Sequence, residues 1–419
     1  MSISTKKNHK VIVIGGGAAG MMAAIFAAKN GAKVTLLEKN EKLGKKMYIT
    51  GKGRCNLTND CSLDEFLQSV PRNPRFLYAA LSHLNSQDTI ALIEEYGCPV
   101  KVERGQRAFP VSDKASDVTR ALKNAMDRLY VQTVLNSEVK SILSQDGSAC
   151  GVQLANGTIL ESDAVIVATG GLSYPSTGST GDGYRFADQF GITVTHCCPS
   201  LTGFDVQDAW PKALQGISLK NIAVHAMRKN KRIYHETGEM LFTHFGVSGP
   251  LMIELCSLIC DQNLRDIDVF IDLKPGMTKE QVDARFRREF TENGNKRLSQ
   301  IMNHFLPQRF AALFPNICGI DGEKSVSQIS QAERTALAEA MKKLSIRLTS
   351  TRSFSEAIIT RGGVSVKEIN ASTMASKNVN GLYFAGEVLD VDAFTGGFNL
   401  QIAFSTGALA GKYAALQED

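Results

Sequence analysis

The stretch that decides the fold is Lys10-Val11-Ile12-Val13-Ile14-Gly15-Gly16-Gly17-Ala18-Ala19-Gly20. Val11 to Ile14 are apolar and β-branched, a run too short for a helix and suited to a strand buried on both faces. Residues 18–30, rich in Ala and Met, then read as a helix stopped by Asn30-Gly31. Residues 33–37 (Lys-Val-Thr-Leu-Leu) form a second strand that ends at Glu38, which completes a βαβ unit. Gly15-x-Gly17-x-x-Gly20 falls at its strand-to-helix turn. Gly15 allows the tight turn, Gly17 lets the backbone approach a pyrophosphate, and Gly20 permits close packing of helix on strand. The helix start, with Ala18 and Ala19 in its first turn, faces that negative charge. Glu38 is placed to accept hydrogen bonds from the ribose hydroxyls of an adenosine and would repel a 2′-phosphate, with Lys39 beside it.

This fingerprint alone does not separate NAD from FAD; three further segments do. A glycine-rich basic stretch follows Glu38, from Gly44-Lys45-Lys46 to Gly51-Lys52-Gly53-Arg54-Cys55-Asn56. A simple dehydrogenase has no need of such a loop there, whereas the ribityl chain and isoalloxazine of a flavin extend past the pyrophosphate. Lys46, Gly53, Arg54, Cys55 and Asn56 are therefore assigned to the cofactor. The buried strand 163–168 runs into Thr169-Gly170-Gly171, where the backbone passes close to the dinucleotide. Near the C-terminus the strand 381–385 ends in Gly386-Glu387, an acid placed for a ribityl hydroxyl or a pyrophosphate-bound water. Gly397, Phe398 and Asn399 then precede a helix over 400–410, whose N-terminal amides are expected to face the flavin pyrimidine ring. FAD is the expected cofactor. NAD(P)H is the expected electron donor, bound transiently, because no second GxGxxG exists. Cys55 and Cys61 stand six apart, the wrong spacing for a disulfide reductase of the glutathione-reductase type.

Beyond this unit, residues 76–96 and 115–129 carry helical periodicity, and 131–160 read as hairpins turning at Asp146-Gly147 and Asn156-Gly157. The character changes near residue 192 to short β-prone runs such as 221–227 and 267–273, then to charged helical sequence over 277–345. Glycine-rich sequence returns after about residue 360. The expected fold class is α/β: a Rossmann-like FAD-binding domain over 1–192 and 360–419, interrupted by a β-barrel-like domain over 193–276 and 346–359 and a helical subdomain over 277–345.

The chain has 419 residues, 47 basic and 42 acidic, for a net charge of +5. That surplus suits an anionic cofactor and an anionic substrate. Nine cysteines, an odd number without a CxxC pair, fit reduced thiols. No His, Cys and carboxylate cluster has metal-ligand spacing, so no metal is expected. Lys6, Lys7 and Lys10 before the apolar run 11–28 imitate a signal peptide, but the run carries the nucleotide-loop glycines and no cleavage site follows. No stretch is long and apolar enough to span a bilayer. The expected setting is cytoplasmic, without membrane or DNA as partners; oligomeric state is not written in these patterns.

The motifs GGGAAG, GKGRCNLTN, ATGG, TGDGY, FTHFGVSGP, GGVSVKEI, GLYFAGEVLD and GGFN, in this order, resemble the BaiN/YhiN-type flavoprotein family over nearly the whole chain. ATGG and TGDGY also resemble the wider fumarate-reductase and succinate-dehydrogenase group. YhiN-like members commonly read GGGRCN where this chain has Lys52. The resemblance implies an FAD-binding domain with an inserted β-barrel and a helical subdomain. It also implies reduction of a C=C bond: uracil to dihydrouridine in large-subunit ribosomal RNA, or an unsaturated steroid-like ring. An FAD-dependent amine or aminoketone oxidase producing peroxide is a further activity within it, and a non-catalytic flavin-binding factor is the alternative of another class.

Reduction of an activated C=C bond requires a proton donor opposite the hydride. Three residues are candidates for the reaction. Cys55 lies in the loop expected to approach the flavin; Arg54 and Lys52 beside it would favour thiolate, and its other reading is packing. His244, in the glycine- and aromatic-rich Leu241–Pro250, is either a substrate-facing donor or a buried histidine bonded to backbone. Arg361, before Gly362-Gly363, either faces the flavin or an anionic substrate or braces two domains against each other. Arg228-Lys229-Asn230-Lys231-Arg232 reads as a hairpin tip, a solvated turn or an RNA-backbone contact.

Overall fold

A computed structural model describes residues 9–416, so Lys6 and Lys7 lie outside the described residues. The chain divides into two compact units, residues 1–199 with 353–419 and residues 200–352.

The first unit is built on the predicted βαβ. Strand β1 (Lys10–Ile14), helix α1 (Ala18–Lys29) and strand β2 (Lys33–Leu37) follow as the sequence pattern requires. With β3 (Gln132–Val134), β4 (Ala164–Val167) and β5 (Leu382–Phe384) they give a five-stranded sheet in the order β5-β4-β1-β2-β3. Each neighbouring pair is parallel, and Ile14 stands level with Val167 on one side and Leu37 on the other. The strand ends that carry Gly15, Glu38 and Thr169 are thereby brought to one edge of the sheet, where ligands of open α/β sheets bind. Two helices far apart in sequence meet as a pair. α2 (Phe398–Ala415) lies against α1 so closely that a Cβ on Gly407 would overlap the Ala19 carbonyl oxygen, and one on Gly411 that of Ala23.

Three small sheets complete the unit, of which one joins Thr58–Asn59, Arg107–Pro110 and Val100–Glu103; the other two bear on the sequence reading. One is the predicted hairpin series Val139–Gln145, Ser148–Leu154 and Ile159–Glu161. Its first turn has positive φ at both Asp146 and Gly147, the geometry a two-residue hairpin prefers. The strand Val194–Ser200 pairs with Ile359–Val364. That pairing holds residues 193–199 and 353–359, assigned by the sequence reading to the inserted portion, with the nucleotide-binding unit.

The second unit carries a seven-stranded antiparallel sheet. Its order is Leu344–Ile346, Asp268–Asp272, Ser218–Arg228, Lys231–Phe242, Gly246–Ser248, Phe204–Val206, Leu348–Thr351. The first and last strands of that order are separated in the chain by Arg347 alone, so the sheet must curl until its two ends meet. Of the helices Lys279–Glu292, Gln308–Ile317 and Gln331–Lys342, the first and third are started by the capping boxes Thr278/Gln281 and Ser330/Glu333, while the second follows Pro307 without a side-chain cap. Their Phe286, Phe310, Phe314 and Leu337 share one apolar cluster with Val224, Val269 and Ile271 of the sheet. The helical stretch therefore has no core separate from the sheet.

Candidate functional site

A cleft of about 1180 Å³, including solvent at its mouth, opens in the first unit at the ends of β1, β2 and β4. Gly15, Gly17, Ala18, Ala19, Glu38, Lys39, Lys46, Thr169, Gly170, Glu387 and Asn399 all line it. These residues come from five separate stretches of sequence, joined here by the parallel sheet and the α1–α2 pair.

The glycine turn has the shape that a dinucleotide requires. Gly15 has φ of +103°, and a Cβ there would stand 2.6 Å from the Ala168 carbonyl oxygen. Gly20 packs directly under Gly15. Gly17 differs: a Cβ on it would meet nothing within 4 Å, so the backbone borders open space. Gly17 also caps α1, and no side chain fills that cap. The first-turn N–H groups are thus left for a ligand, and no acidic side chain lies in the turn to oppose an anion.

Glu38 is buried. Its Oε2 accepts from the Gly16 amide at 2.7 Å, and Oε1 accepts from the Asn40 amide at 2.8 Å and from Asn40 Nδ2 at 2.7 Å. A carboxylate offers about four acceptor sites. These three bonds fix the group at the edge of the cleft and leave capacity for a ribose hydroxyl. Lys39 is bound to Asp182 and Thr180, each at 2.6 Å. Lys46 donates to Ser173 and Glu387, each at 2.5 Å, while Glu387 also accepts from Ser173 Oγ at 2.6 Å and the Thr360 amide at 2.9 Å. Thr169 Oγ1 is buried and has no hydrogen-bond partner, an orphan that a ligand in the cleft can satisfy. The open Gly17, the uncapped helix and this orphan together fit a bound dinucleotide.

The remaining sequence assignments serve the cleft from behind. Gly386, with φ of +80°, packs against Ala19; Gly397 packs against the Thr58 backbone; Phe398 meets Phe66 edge-on at 5.0 Å. Asn399 both lines the cleft and ties back the loop before α2 through Ala393, at 2.9 Å and 2.7 Å. Gly53, Arg54, Cys55 and Asn56 are not among the lining residues. Arg54 is held by Asp113 and Glu103, at 2.8 Å and 2.5 Å, over the ring of Phe109. Cys55 is fully buried, and desolvation pushes its thiol up to about 12. The thiolate-favouring surroundings expected from Arg54 and Lys52 are absent: burial dominates, Arg54 is bound to carboxylates, and Lys52 is exposed. Asn56 Oδ1 is a second buried atom without a partner.

Arg361 is 5% exposed and Asp392 is 0% exposed, and they form a two-pronged pair at 3.0 and 2.9 Å. Both residues belong to the first unit, so the pair ties two stretches of that unit together and is not the brace between two domains that the sequence reading offered. His244 belongs to the second unit, in the turn between Phe242 and Gly246. It is exposed rather than buried, and its ring meets Phe245 edge-on at 5.1 Å. Asn40, Ser173, Asp182 and Thr360 went unassigned in the sequence. Asp182 stood inside the quoted TGDGY motif and Asn40 beside Glu38, whereas nothing marks Ser173 or Thr360 as partners of an acid at position 387. Among the described residues no group of three or more His, Cys, Asp or Glu could hold a metal ion, and no helix is long and apolar enough to cross a membrane.

A family model described as HI0933-like protein Rossmann domain matches residues 9–413. The ribosomal RNA dihydrouridine synthase of Haemophilus influenzae is 32% identical, over 94% of this chain and 96% of its own. The 3-dehydro-bile acid delta(4,6)-reductase of Clostridium scindens is 31% identical, over 97% and 99%. Among solved structures, the 3-ketosteroid-delta4-(5alpha)-dehydrogenase of Rhodococcus jostii RHA1 aligns with a TM-score of 0.54 at 14% identity, covering 99% of this chain and 98% of that one. A flavocytochrome c3 fumarate reductase aligns at 0.50 with 17% identity, covering 98% and 79%. At such identities the structural likeness is one of fold.

Proposed function

Because this chain belongs to the HI0933-like Rossmann-domain family, we propose that it is an FAD-dependent oxidoreductase that reduces an activated C=C bond with electrons from NAD(P)H. The substrate we favour is uracil in ribosomal RNA. The observation that carries the cofactor is the open, uncapped turn at Gly17 beside the buried orphan Thr169 Oγ1. The C=C assignment is supported by two relatives of about equal identity whose named reactions both saturate such a bond. The basic surplus of the chain favours the RNA substrate.

Bound FAD would supply the hydride chemistry. The chain's own residues hold and orient it: the Gly17 turn and α1 receive the pyrophosphate, Glu38 the adenosine ribose, and Lys46 with Glu387 the ribityl side. Asn399 and the start of α2 border the far end of the cleft. Cys55, protonated and sealed from solvent, has the protonation state of an acid but no route to bulk water. His244 is exposed and free of that limit. Cys55 belongs to the same unit as the cleft and His244 to the other, and we take Arg361 as a positioning residue.

The test is direct. Purified protein should carry a flavin absorption band, consume NAD(P)H, and convert uracil to dihydrouracil in ribosomal RNA. Absence of the band after reconstitution with FAD removes the cofactor. A band with NAD(P)H consumption on an unsaturated ring compound, and none on RNA, moves the substrate to a small molecule.

A further inference from the structure

The curled sheet of the second unit has two faces, and its unclaimed face has the layout of a nucleic-acid platform. Val224, Ala226, Val269, Ile271, Leu344 and Ile346 belong to the apolar core. Side chains alternate along a strand, so their neighbours His225, Phe270 and Ser345 point to the other side. Strand register sets these in one row: Ser345 opposite Phe270, Phe270 opposite His225, and His225 opposite His235. The two imidazoles are 4.2 Å apart, with Nδ1 atoms at 2.9 Å, so one ring donates while the other accepts. Burial, and then His235, hold His225 below the ordinary imidazole range, which keeps that ring neutral. Lys343 Nζ lies 4.3 Å from the centre of the Phe270 ring.

Cations border this row. The hairpin that carries both histidines ends in Arg228-Lys229-Asn230-Lys231-Arg232, four basic residues in five, with Lys229, Lys231 and Arg232 exposed. On the other side stands exposed Lys343. Of the carboxylates on the same face, Asp272 is already matched by Lys342 at 2.7 Å, while Asp268 is exposed. Rings at strand spacing flanked by cations match the two needs of a single strand: flat surfaces for unpaired bases and positive charge for the backbone.

We propose that this face, formed by Phe270, His225 and His235 with Lys229, Lys231, Arg232 and Lys343, docks single-stranded RNA. The proposal rests on the RNA reading of the substrate. It assigns to the second unit the capture of RNA and leaves the chemistry to the flavin cleft.

The full FAD-loaded chain is titrated into a labelled, uridine-rich single-stranded RNA and followed by fluorescence anisotropy, alongside the Lys229→Glu/Lys231→Glu and His235→Ala/Phe270→Ala double variants. Each variant is expected to bind about tenfold or more weakly, with its flavin spectrum and NAD(P)H oxidation unchanged. The lysine variant is also expected to lose about 1.4 from the slope of log affinity against log salt, while the ring variant keeps its slope. In turnover on ribosomal RNA both should raise KM and leave kcat in place. If the wild type reduces uracil in RNA and both variants match its affinity and KM, the docking face is overturned and the RNA reading stands. If the wild type neither binds nor reduces RNA, both fall. Equal affinity for duplex RNA overturns the stacking platform, since paired bases cannot meet the rings.

Discussion

Gly17 and Gly20, three residues apart in one turn, sit at opposite extremes of crowding. A Cβ on Gly17 meets nothing within 4 Å, whereas one on Gly20 overlaps the Gly15 carbonyl oxygen. The same substitution at the two sites must therefore separate cofactor binding from folding. Gly17→Ala is expected to cost about 0.5–1 kcal/mol of stability, the loss of an N-cap glycine, and to weaken FAD binding at least tenfold, because the new methyl occupies pyrophosphate space. Gly20→Ala is expected to lower stability by about 1–3 kcal/mol through overpacking. Urea unfolding of the apoprotein and FAD titration of each variant check this pair.

Lys46 and Glu387 are 341 residues apart and meet at 2.5 Å in the cleft wall. Lys46→Met leaves the mostly buried Glu387 carboxylate without its cation, at an expected cost of about 1–3 kcal/mol and about tenfold in FAD affinity. Adding Glu387→Gln removes the stranded charge and should restore part of the stability but none of the affinity. A double-mutant cycle on both readouts measures the coupling.

The Arg361–Asp392 pair predicts a large structural effect. Arg361→Met removes both prongs of the pair from a fully buried carboxylate and should cost about 3–5 kcal/mol. Arg361→Lys cannot reproduce the two-pronged geometry and should recover less than half of that. Thermal unfolding with and without FAD checks both. A variant of normal stability that had lost only substrate affinity would return Arg361 to a substrate-facing role.

Cys55, Cys98 and Cys318 predict the alkaline limb of the stability curve. Burial raises these thiols from the ordinary 9.0 to about 12, 11 and 12. Below pH 9 they are protonated in both folded and unfolded chains, so their contribution is fully present. As pH rises from 9 toward 12 the unfolded thiols ionise first, and stability is lost. The urea midpoint should fall between pH 8 and pH 10.5, and less so in a Cys55→Ala variant. Iodoacetamide at pH 8 should leave Cys55 unmodified in the native protein.

The nucleotide-binding half was legible because its signals are local. A β-branched run, a glycine turn, an Ala-rich helix and an acid at the next strand end fix both the βαβ unit and the cleft at its strand ends. Glu38, Thr169, Glu387 and Asn399 could be assigned because each follows a strand or starts a helix whose register the sequence reveals. Loop burial has no such periodicity. Nothing in Gly53-Arg54-Cys55-Asn56 says that Arg54 turns to Glu103 and Asp113 while Cys55 turns inward. The partner of Arg361, and the Ser173 and Thr360 contacts of Glu387, are set by tertiary placement over long separations. The edges of the inserted segment were blurred for a related reason, since the strand Val194–Ser200 looks β-prone in either unit and its pairing with Ile359–Val364 decides.

The α1–α2 contact has a consequence for synthesis. The floor of the cleft joins two helices far apart in sequence, through Ala19 and Ala23 against Gly407 and Gly411. At about 5–20 residues per second the two emerge roughly 20–80 s apart. Throughout that interval the nascent βαβ unit has its glycine turn but lacks both β5 and the helix that covers α1. A chain truncated before Gly407 lacks the helix that covers α1 and should be made, and then degraded, without binding added FAD.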